Sequence, residues 1–226
     1  MSTQPISHGP MPYFHIWKNC IVASIAHAIM VPHFPYLAHE HSWDGPNYQI
    51  QDSQGIRGSI TFQDDQVIAA FRNEQVPVRP FAYSHFFEHA PDSIQLIAQD
   101  ETLQYLLEDI DGQVRPSIST ACWISHDMLY ANDTWEDLLN HGASLFFKQI
   151  MDIEQAYTYW AEVNEMNETQ FHLLKSLSEH KITRPQESIV LTPSEIQAIG
   201  TPDEPEEDGM DMCTASFQEI GITLSM

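Results

Sequence analysis

The sequence predicts an α+β fold with a mainly antiparallel sheet covered by several helices. Between residues 47 and 73, apolar and polar residues alternate with the period of two that is typical of strands. Beyond about residue 80, apolar residues recur at the spacing of three and four that is typical of helices. Segregated runs of strands and helices indicate the α+β class. With 226 residues, of which 42% are hydrophobic, the chain can bury a sizeable core, and we expect residues 1–226 to form a single domain.

The first predicted element is a helix from Pro12 to Met30 that is apolar on nearly all sides. A helix of this kind is usually central to its domain. Pro32 and Pro35 end the helix, because proline disfavours helical backbone in the residue before it.

A three-stranded antiparallel meander follows, near residues 47–73. Its strands are expected at Tyr48–Ile50, Ile56–Phe62 and Val67–Phe71, separated by short breaks with turn-forming residues. The sequence therefore predicts that this segment seeds the sheet.

The sequence predicts two or three short helices over residues 81–111, followed by a strand. Asp92 is a candidate N-cap for one of these helices, and the spacing of leucine and isoleucine predicts another over Glu101–Ile110. The segment Val114–Ser125 is typical of a strand, with Pro116 indicating an edge or a bulge at its start.

Helices are predicted over most of residues 134–180. Thr134 is a candidate N-cap with Asp137 as its partner, and Gly142 breaks the helix that they begin. Longer amphipathic helices are expected at Ser144–Val163 and Glu168–His180, and these two should pair as a hairpin.

The C-terminal part predicts a strand at Ile189–Leu191 and a short helix capped by Thr192. The segment Thr201–Asp211 contains two prolines, one glycine and no large aliphatic residue, which predicts an acidic, solvated loop. We expect Cys213–Leu224 to be a strand that returns to the sheet.

The charge of the chain is strongly negative and regional. Nine basic and 32 acidic residues give a formal net charge of −23, of which residues 1–50 hold only −1. No basic residue follows Arg184, whereas nine acidic residues do. Such a surface repels phosphate backbones and anionic lipid headgroups, so we expect neither nucleic acid nor membrane as a partner.

The cysteines and the N-terminal residues bear on location. Three cysteines, Cys20, Cys122 and Cys213, show no paired spacing and suit a reducing cytoplasm better than a disulfide framework. The chain has no basic residue before Lys18 and no apolar run of signal-peptide length. We therefore expect a cytoplasmic protein. Cys20 lies inside the predicted apolar helix, where its pKa should stay high, so it is expected to be structural and not a nucleophile.

A histidine-rich region is the candidate for metal or small-molecule chemistry. Histidines at positions 27, 33, 39 and 41 fall within 15 residues, beside Glu40 and Asp44. Imidazole and carboxylate suit zinc or iron, but His39 and His41 share no face of a helix or strand, and we expect no tightly bound metal and no cofactor.

The segment Ser42–Phe62 concentrates polar side chains and glycines around tight turns. Its candidate binding residues are Trp43, Asp44, Asp52 and Arg57, and Arg57 is expected to pair with Asp52 or Asp44. Two interpretations stay open at this point. The residues form either an Arg–Asp pair that ties a hairpin with Trp43 over the core, or a ligand pocket.

The chain has no phosphate loop, no nucleophile elbow, no CxxC pair and no dinucleotide fingerprint. A small, strongly acidic α+β chain without a catalytic motif resembles the immunity proteins of bacterial toxin systems, many of which cap a basic toxin. That resemblance implies a basic protein partner, a toxin or effector domain, and no catalytic residue. The charge distribution adds four candidate partner-binding residues, Glu204, Glu206, Glu207 and Asp208. The alternative is an enzyme domain that binds a metal or a small molecule through residues 27–57.

Overall fold

The computed structural model describes residues 10–77, 79, 83–200 and 208–225. The contacts within the chain divide it into two compact units. The first comprises residues 1–17 and 44–150, and the second comprises residues 18–43 and 151–226. The fold is α+β with a six-stranded antiparallel sheet, as predicted.

Helix α1 spans Tyr13–Met30 and is the long apolar helix that the sequence predicts. Every residue from Asn19 to Pro32 is buried, which fits a helix with apolar residues on nearly all sides. A 3-10 turn at Pro35–Leu37 follows the predicted stop.

The large sheet has six strands. The first four are β1 (His41–Asp44), β2 (Asn47–Gln51), β3 (Ile56–Gln63) and β4 (Gln66–Asn73), and the last two are β7 (Thr120–Ser125) and β8 (Met128–Tyr130). Their order in the sheet is β1-β2-β3-β4-β7-β8. Strands β2, β3 and β4 are antiparallel neighbours, which confirms the predicted meander. The β3–β4 turn holds Asp64 and Asp65 at φ of 51° and 59°, the left-handed conformation that Asp tolerates in tight hairpins.

One face of this sheet packs against helical segments of the first unit. Helix α2 (Asp92–Asp100) and the 3-10 turns Tyr83–Phe87 and Thr102–Leu106 supply these segments. Pro91, and not Asp92, occupies the N-cap of α2. The buried cluster includes Ile68, Ala70, Ala121 and Trp123 from the strands and Phe86, Ile94, Ile97, Leu103 and Leu106 from the helical segments.

Two predictions between residues 101 and 125 are wrong. The helix expected over Glu101–Ile110 is a 3-10 turn followed by strand β5 (Leu107–Ile110). Asp111 and Gly112, at φ of 56° and 78°, form the tight turn that pairs β5 with β6 (Gln113–Pro116). An Asp-Gly pair is a strong hairpin signal, and it outweighs the helical spacing of the leucines before it.

The strand expected at Val114–Ser125 is two strands. After β6, the chain passes to β7 (Thr120–Ser125), which joins the large sheet beside β4. Pro116 has no N–H to donate, and the backbone N–H of Ser119 bonds to the carbonyl of Phe71 at 2.7 Å. Strand β8 (Met128–Tyr130) completes the sheet.

The helices of residues 134–183 differ from prediction in one place. Thr134 caps α3 (Trp135–Leu138) by accepting the backbone N–H of Asp137, and Gly142 breaks the helical path at φ 121°, both as predicted. The helix expected over Ser144–Val163 is two helices, α4 (Ser144–Phe147) and α5 (Ile153–Val163). Asp152 begins α5 as its N-cap, a start signal that interrupts the continuous pattern.

Helix α6 (Glu168–Thr183) pairs with α5, which confirms the predicted hairpin. The ammonium of Lys175 bonds to the carboxylate of Glu154 at 2.9 Å and lies 5.1 Å from the centre of the Tyr157 ring. Asn167 and Gln170 form a reciprocal capping box at the start of α6.

The C-terminal prediction is partly wrong. Strand β9 (Ile189–Leu191) and helix α7 (Pro193–Ile199), capped by Thr192, agree with prediction. The strand expected over Cys213–Leu224 is helix α8 (Gly209–Glu219) followed by strand β10 (Ile222–Leu224). Cys213, Phe217 and Ile220 are buried at helical spacing, and β10 pairs in parallel with β9 in a separate sheet.

The predicted acidic loop Thr201–Asp211 lies mainly outside the described residues. Asp208 is exposed at the start of α8, and residues 209–211 are helical and not loop. Among the helices of the described residues, none is both long enough and apolar enough to span a membrane.

Gly58 on β3 gives a test of the sheet core. A Cβ at this position would lie 2.3 Å from the ring of Phe71, which is fully buried on β4 and has no room to move. Gly58→Ala should therefore lower the free energy of unfolding by about 1–3 kcal/mol through overpacking. Urea denaturation measures the change. Gly45→Ala is the contrasting variant, because Gly45 has open space around it and any loss there comes from backbone strain at φ 56°, which costs a residue with a Cβ about 1–2 kcal/mol.

Candidate functional site

The predicted ion pair of Arg57 is wrong. Its guanidinium pairs with Glu74 at 3.3 Å and with Glu108, and with neither Asp52 nor Asp44. Asp52 instead accepts the backbone N–H groups of Gln54 and Ile56, each at 2.9 Å, and so holds the β2–β3 turn. A short polar side chain in a turn bonds to its own backbone, which removes Asp52 from the reach of Arg57.

Two arginines face each other across the centre of the sheet. Arg57 on β3 is directly opposite Arg72 on β4 in the antiparallel register. Like charges in opposed positions destabilise a strand pair. Glu108 of β5 lies between them, since the same carboxylate oxygen contacts the guanidinium of Arg57 and lies 4.0 Å from Nε of Arg72.

Asp44 belongs to a polar network in the first unit. The hydroxyl of Tyr105 donates to Asp44 at 2.7 Å, and the amide of Asn47 donates to Glu101 at 2.8 Å. Burial and the Asp44 carboxylate raise the pKa of Tyr105, so its phenol keeps its proton and remains the donor. Asp44 itself is exposed.

Trp43 and Asp208 lie in the second unit. The indole N–H of Trp43 donates to the hydroxyl of Ser24 at 2.7 Å, and its backbone N–H donates to the carboxylate of Glu219 at 2.8 Å. Trp43 is therefore held by α1 and by the end of α8. Glu204, Glu206 and Glu207 lie outside the described residues.

The cysteines are all free and buried. Burial raises the pKa of the Cys122 and Cys213 thiols to about 12 and that of Cys20 well above its ordinary value. The thiols are protonated near neutral pH, and Cys20 lies inside the apolar helix α1, as predicted.

The histidine-rich region lines a cavity of about 230 Å³ in the second unit. Residues of α1, of the following loop, of β1 and of α5 form it, and they include His27, Glu40, His41, Trp160, Val163 and Glu165. The rings of His27 and His41 lie 4.9 Å apart, and that of His41 lies edge to face against Trp160 at 5.2 Å. In the described part of the chain, no three histidine, cysteine or acidic side chains are placed together as a metal site.

His27 is held in its neutral form. Burial lowers its pKa from 6.5 to about 4, although its ring nitrogen bonds to the carbonyl of Ala38 at 3.3 Å. A buried neutral imidazole at the cavity wall is a hydrogen-bonding group without a positive charge near neutral pH.

The α5 side of this cavity was not predicted from sequence. The histidine-rich region was a candidate because of its composition, but Trp160 and Glu165 are more than a hundred residues away along the chain. The helical pattern of α5 assigns Trp160 to a buried face and carries no sign that the face lines a cavity.

Glu108 should contribute more to the free energy of unfolding than Glu74, the other carboxylate that pairs with Arg57. Glu108→Gln removes the charge that separates Arg57 from Arg72 and should lower the free energy of unfolding by about 1–3 kcal/mol. Glu74→Gln is the matched control, since this carboxylate is more exposed and its loss should cost below about 1 kcal/mol. Equal losses in urea denaturation of the two variants would contradict the bridging role.

His27 should make stability depend on pH. Its folded pKa of about 4 is below the value of 6.5 for a free imidazole, so the unfolded chain binds the proton more tightly. The resulting stability is present in full above pH 6.5 and is lost as pH falls toward 4. The contribution is about 3 kcal/mol. Urea denaturation from pH 4 to 7 should show a smaller slope for His27→Gln, whereas His172→Gln, at an exposed position on α6, should keep the parent slope.

Comparison with known proteins adds no residue assignment. No protein-family model matches the chain, and neither the curated proteins nor the solved structures that were searched include a match. The candidate sites therefore rest on the geometry and charge of this chain.

Proposed function

We propose that this chain is an acidic binding protein that recognises a basic protein, and that it acts as an immunity or inhibitor protein that neutralises a toxin or effector by direct binding. The proposal places it in the cytoplasm. The observation that carries the proposal is the imbalance of exposed charge. Among the described residues, 21 acidic residues are exposed, against two of the nine basic residues, Arg115 and Arg184.

Most of the basic residues form ion pairs or hydrogen bonds with other groups of the same chain. Five pair with its own carboxylates, namely Arg57, Arg72, Arg79, Lys175 and Arg184. Lys181 is buried, and its ammonium donates to the carbonyl of Glu187 at 3.2 Å. These five cations therefore neutralise internal or local acids, and the remaining surface field is negative over both units.

A field of this kind favours fast capture of a basic protein. Complementary charge steers association toward about 10⁸–10⁹ M⁻¹s⁻¹ at low salt and suppresses binding of acidic proteins. Solubility alone is satisfied by a net charge of about 2–8 in a small domain. A formal charge of −23 exceeds that need, which favours a role in recognition.

A second candidate function is the binding of a small molecule through residues 27–57. The cavity lined by His27, Glu40 and His41 favours it, because these residues meet Trp160 and Glu165 around one partly enclosed space. Nothing in its geometry assigns a catalytic step.

The test begins with pull-down by the immobilised chain at low salt and identification of the captured proteins. A basic protein should be recovered, and its association rate should fall at least about tenfold as salt rises from low to several hundred millimolar, while dissociation changes less. Recovery of acidic proteins only, or of none, contradicts the proposal.

A quadruple substitution tests the four predicted partner-binding residues of the acidic loop. Glu204→Gln, Glu206→Gln, Glu207→Gln and Asp208→Asn together should slow association with the captured protein at low salt and leave stability nearly unchanged. The matched control changes Asp64, Asp65, Asp111 and Asp127 to Asn, because these exposed turn residues have positive φ, which Asn tolerates. Both variants change the net charge by the same amount. Equal association rates for the two quadruple variants would exclude a specific role for these four residues of the acidic loop.

A further inference from the structure

The cavity of the second unit has the character of a site for an organic cation. Its lining contains the two carboxylates Glu40 and Glu165 and no lysine or arginine. His27 adds no positive charge near neutral pH, because burial lowers its pKa to about 4. The two carboxylates repel an anion and attract a cation.

The walls of the cavity are aromatic and aliphatic. Phe34 and Tyr36 on the loop after α1 lie edge to face, with ring centres 6.3 Å apart, and Trp160 faces the ring of His41. Met30 and Val163 also line the space. Aromatic faces attract cations through their ring quadrupoles and bury the apolar body of a ligand.

Trp160 supplies an independent observation. Its side chain lines the cavity, the residue is only 5% exposed, and its indole N–H has no hydrogen-bond acceptor among the described residues. The indole nitrogen itself has almost no accessible surface, so Trp160 contributes an aromatic wall, and a ligand in the cavity would change the surroundings of its ring.

The volume of about 230 Å³ limits the size of the ligand. Sites for drug-sized molecules have volumes of about 300–1,000 Å³. The cavity therefore fits a single aromatic ring with a short side chain.

We propose that this cavity binds a small arylalkylamine, with its protonated amine near Glu40 and Glu165 and its ring against the aromatic walls. This inference rests on the second candidate function, small-molecule binding, and is independent of the basic-partner proposal. The amine is recognised by charge and the ring by shape.

The experiment compares three probes with the same phenol ring on the full chain labelled with nitrogen-15 in its five indoles. Tyramine carries a cation, 4-ethylphenol carries no charge at neutral pH, and 3-(4-hydroxyphenyl)propanoate carries an anion. Tyramine should shift the Trp160 indole resonance to saturation, with a Kd at least about fivefold below that of 4-ethylphenol. The anion should bind most weakly. Trp160→Phe identifies the resonance.

A pair of variants tests whether the carboxylate of Glu165 attracts the amine of the ligand. Glu165→Gln should weaken tyramine binding about threefold and leave 4-ethylphenol unchanged. Glu162→Gln is the matched control, because Glu162 is also exposed on α5 but does not line the cavity. Equal weakening by both variants would show that tyramine senses the general negative field, and would overturn the inference.

The probes separate the two levels of the hypothesis. If 4-ethylphenol or the anion binds as tightly as tyramine at Trp160, the cavity binds small molecules but the amine class is wrong. If no probe shifts the Trp160 resonance, the inference and small-molecule binding by this cavity are both wrong. Neither result affects the basic-partner proposal, which depends on exposed acids elsewhere.

Discussion

The carboxylate of Glu108 lies between Arg57 and Arg72 and offsets the repulsion between two arginines that the sheet of the first unit places opposite each other. Antiparallel register places these two arginines directly opposite each other on the central strands β3 and β4. The small β5–β6 hairpin places the carboxylate of Glu108 beside both arginines, and it therefore supplies negative charge to the large sheet. Two of the nine basic residues of the chain are used in this one bridge.

The small number of basic residues also affects how the rest of the molecule is stabilised. A chain with 32 acidic residues repels itself, and its compact state is held by apolar burial and by local ion pairs. Helix α1 supplies buried apolar surface along most of its length, and the face of the sheet around Ile68 and Trp123 supplies more. Lys175 and Arg184 pair on or beside α6 with Glu154 and Glu187. Because these cations are paired with carboxylates of the same chain, the surface carries a net negative charge, as the composition does.

Much of the fold could be predicted from sequence because its local signals agree with each other. The meander has alternating strands with turn residues between them, and α7 has Thr192 followed by proline and Glu195, a capping box that the structure contains. Errors arose where two signals competed. At Asp111-Gly112 a hairpin turn prevailed over leucine spacing, and at Asp152 an N-cap divided one apolar pattern into two helices.

The candidate sites were harder to predict, for a physical reason. Periodicity reports which face of an element is buried, but it does not report which distant element covers that face. Arg57 was expected to bond within its own hairpin, yet Glu108 reaches it from a hairpin about fifty residues later in the chain. Trp160 joins the histidine-rich region in the same way. Contacts of this kind are set by tertiary packing, and only composition gave a sign that residues 27–41 were unusual.

The two proposed binding functions share one sign of charge but use it in different physical regimes. Exposed acids act over a Debye length of about 8 Å at physiological salt, so they govern the rate of encounter and lose effect as salt rises. Glu40 and Glu165 line a partly enclosed space beside Trp160, where contact with an aromatic wall adds to the attraction. The surface field would therefore concentrate cations of every kind near the protein, whereas the cavity would select among them by ring and length. Selectivity at the cavity must come from those uncharged features, because the negative charge alone does not distinguish one amine from another.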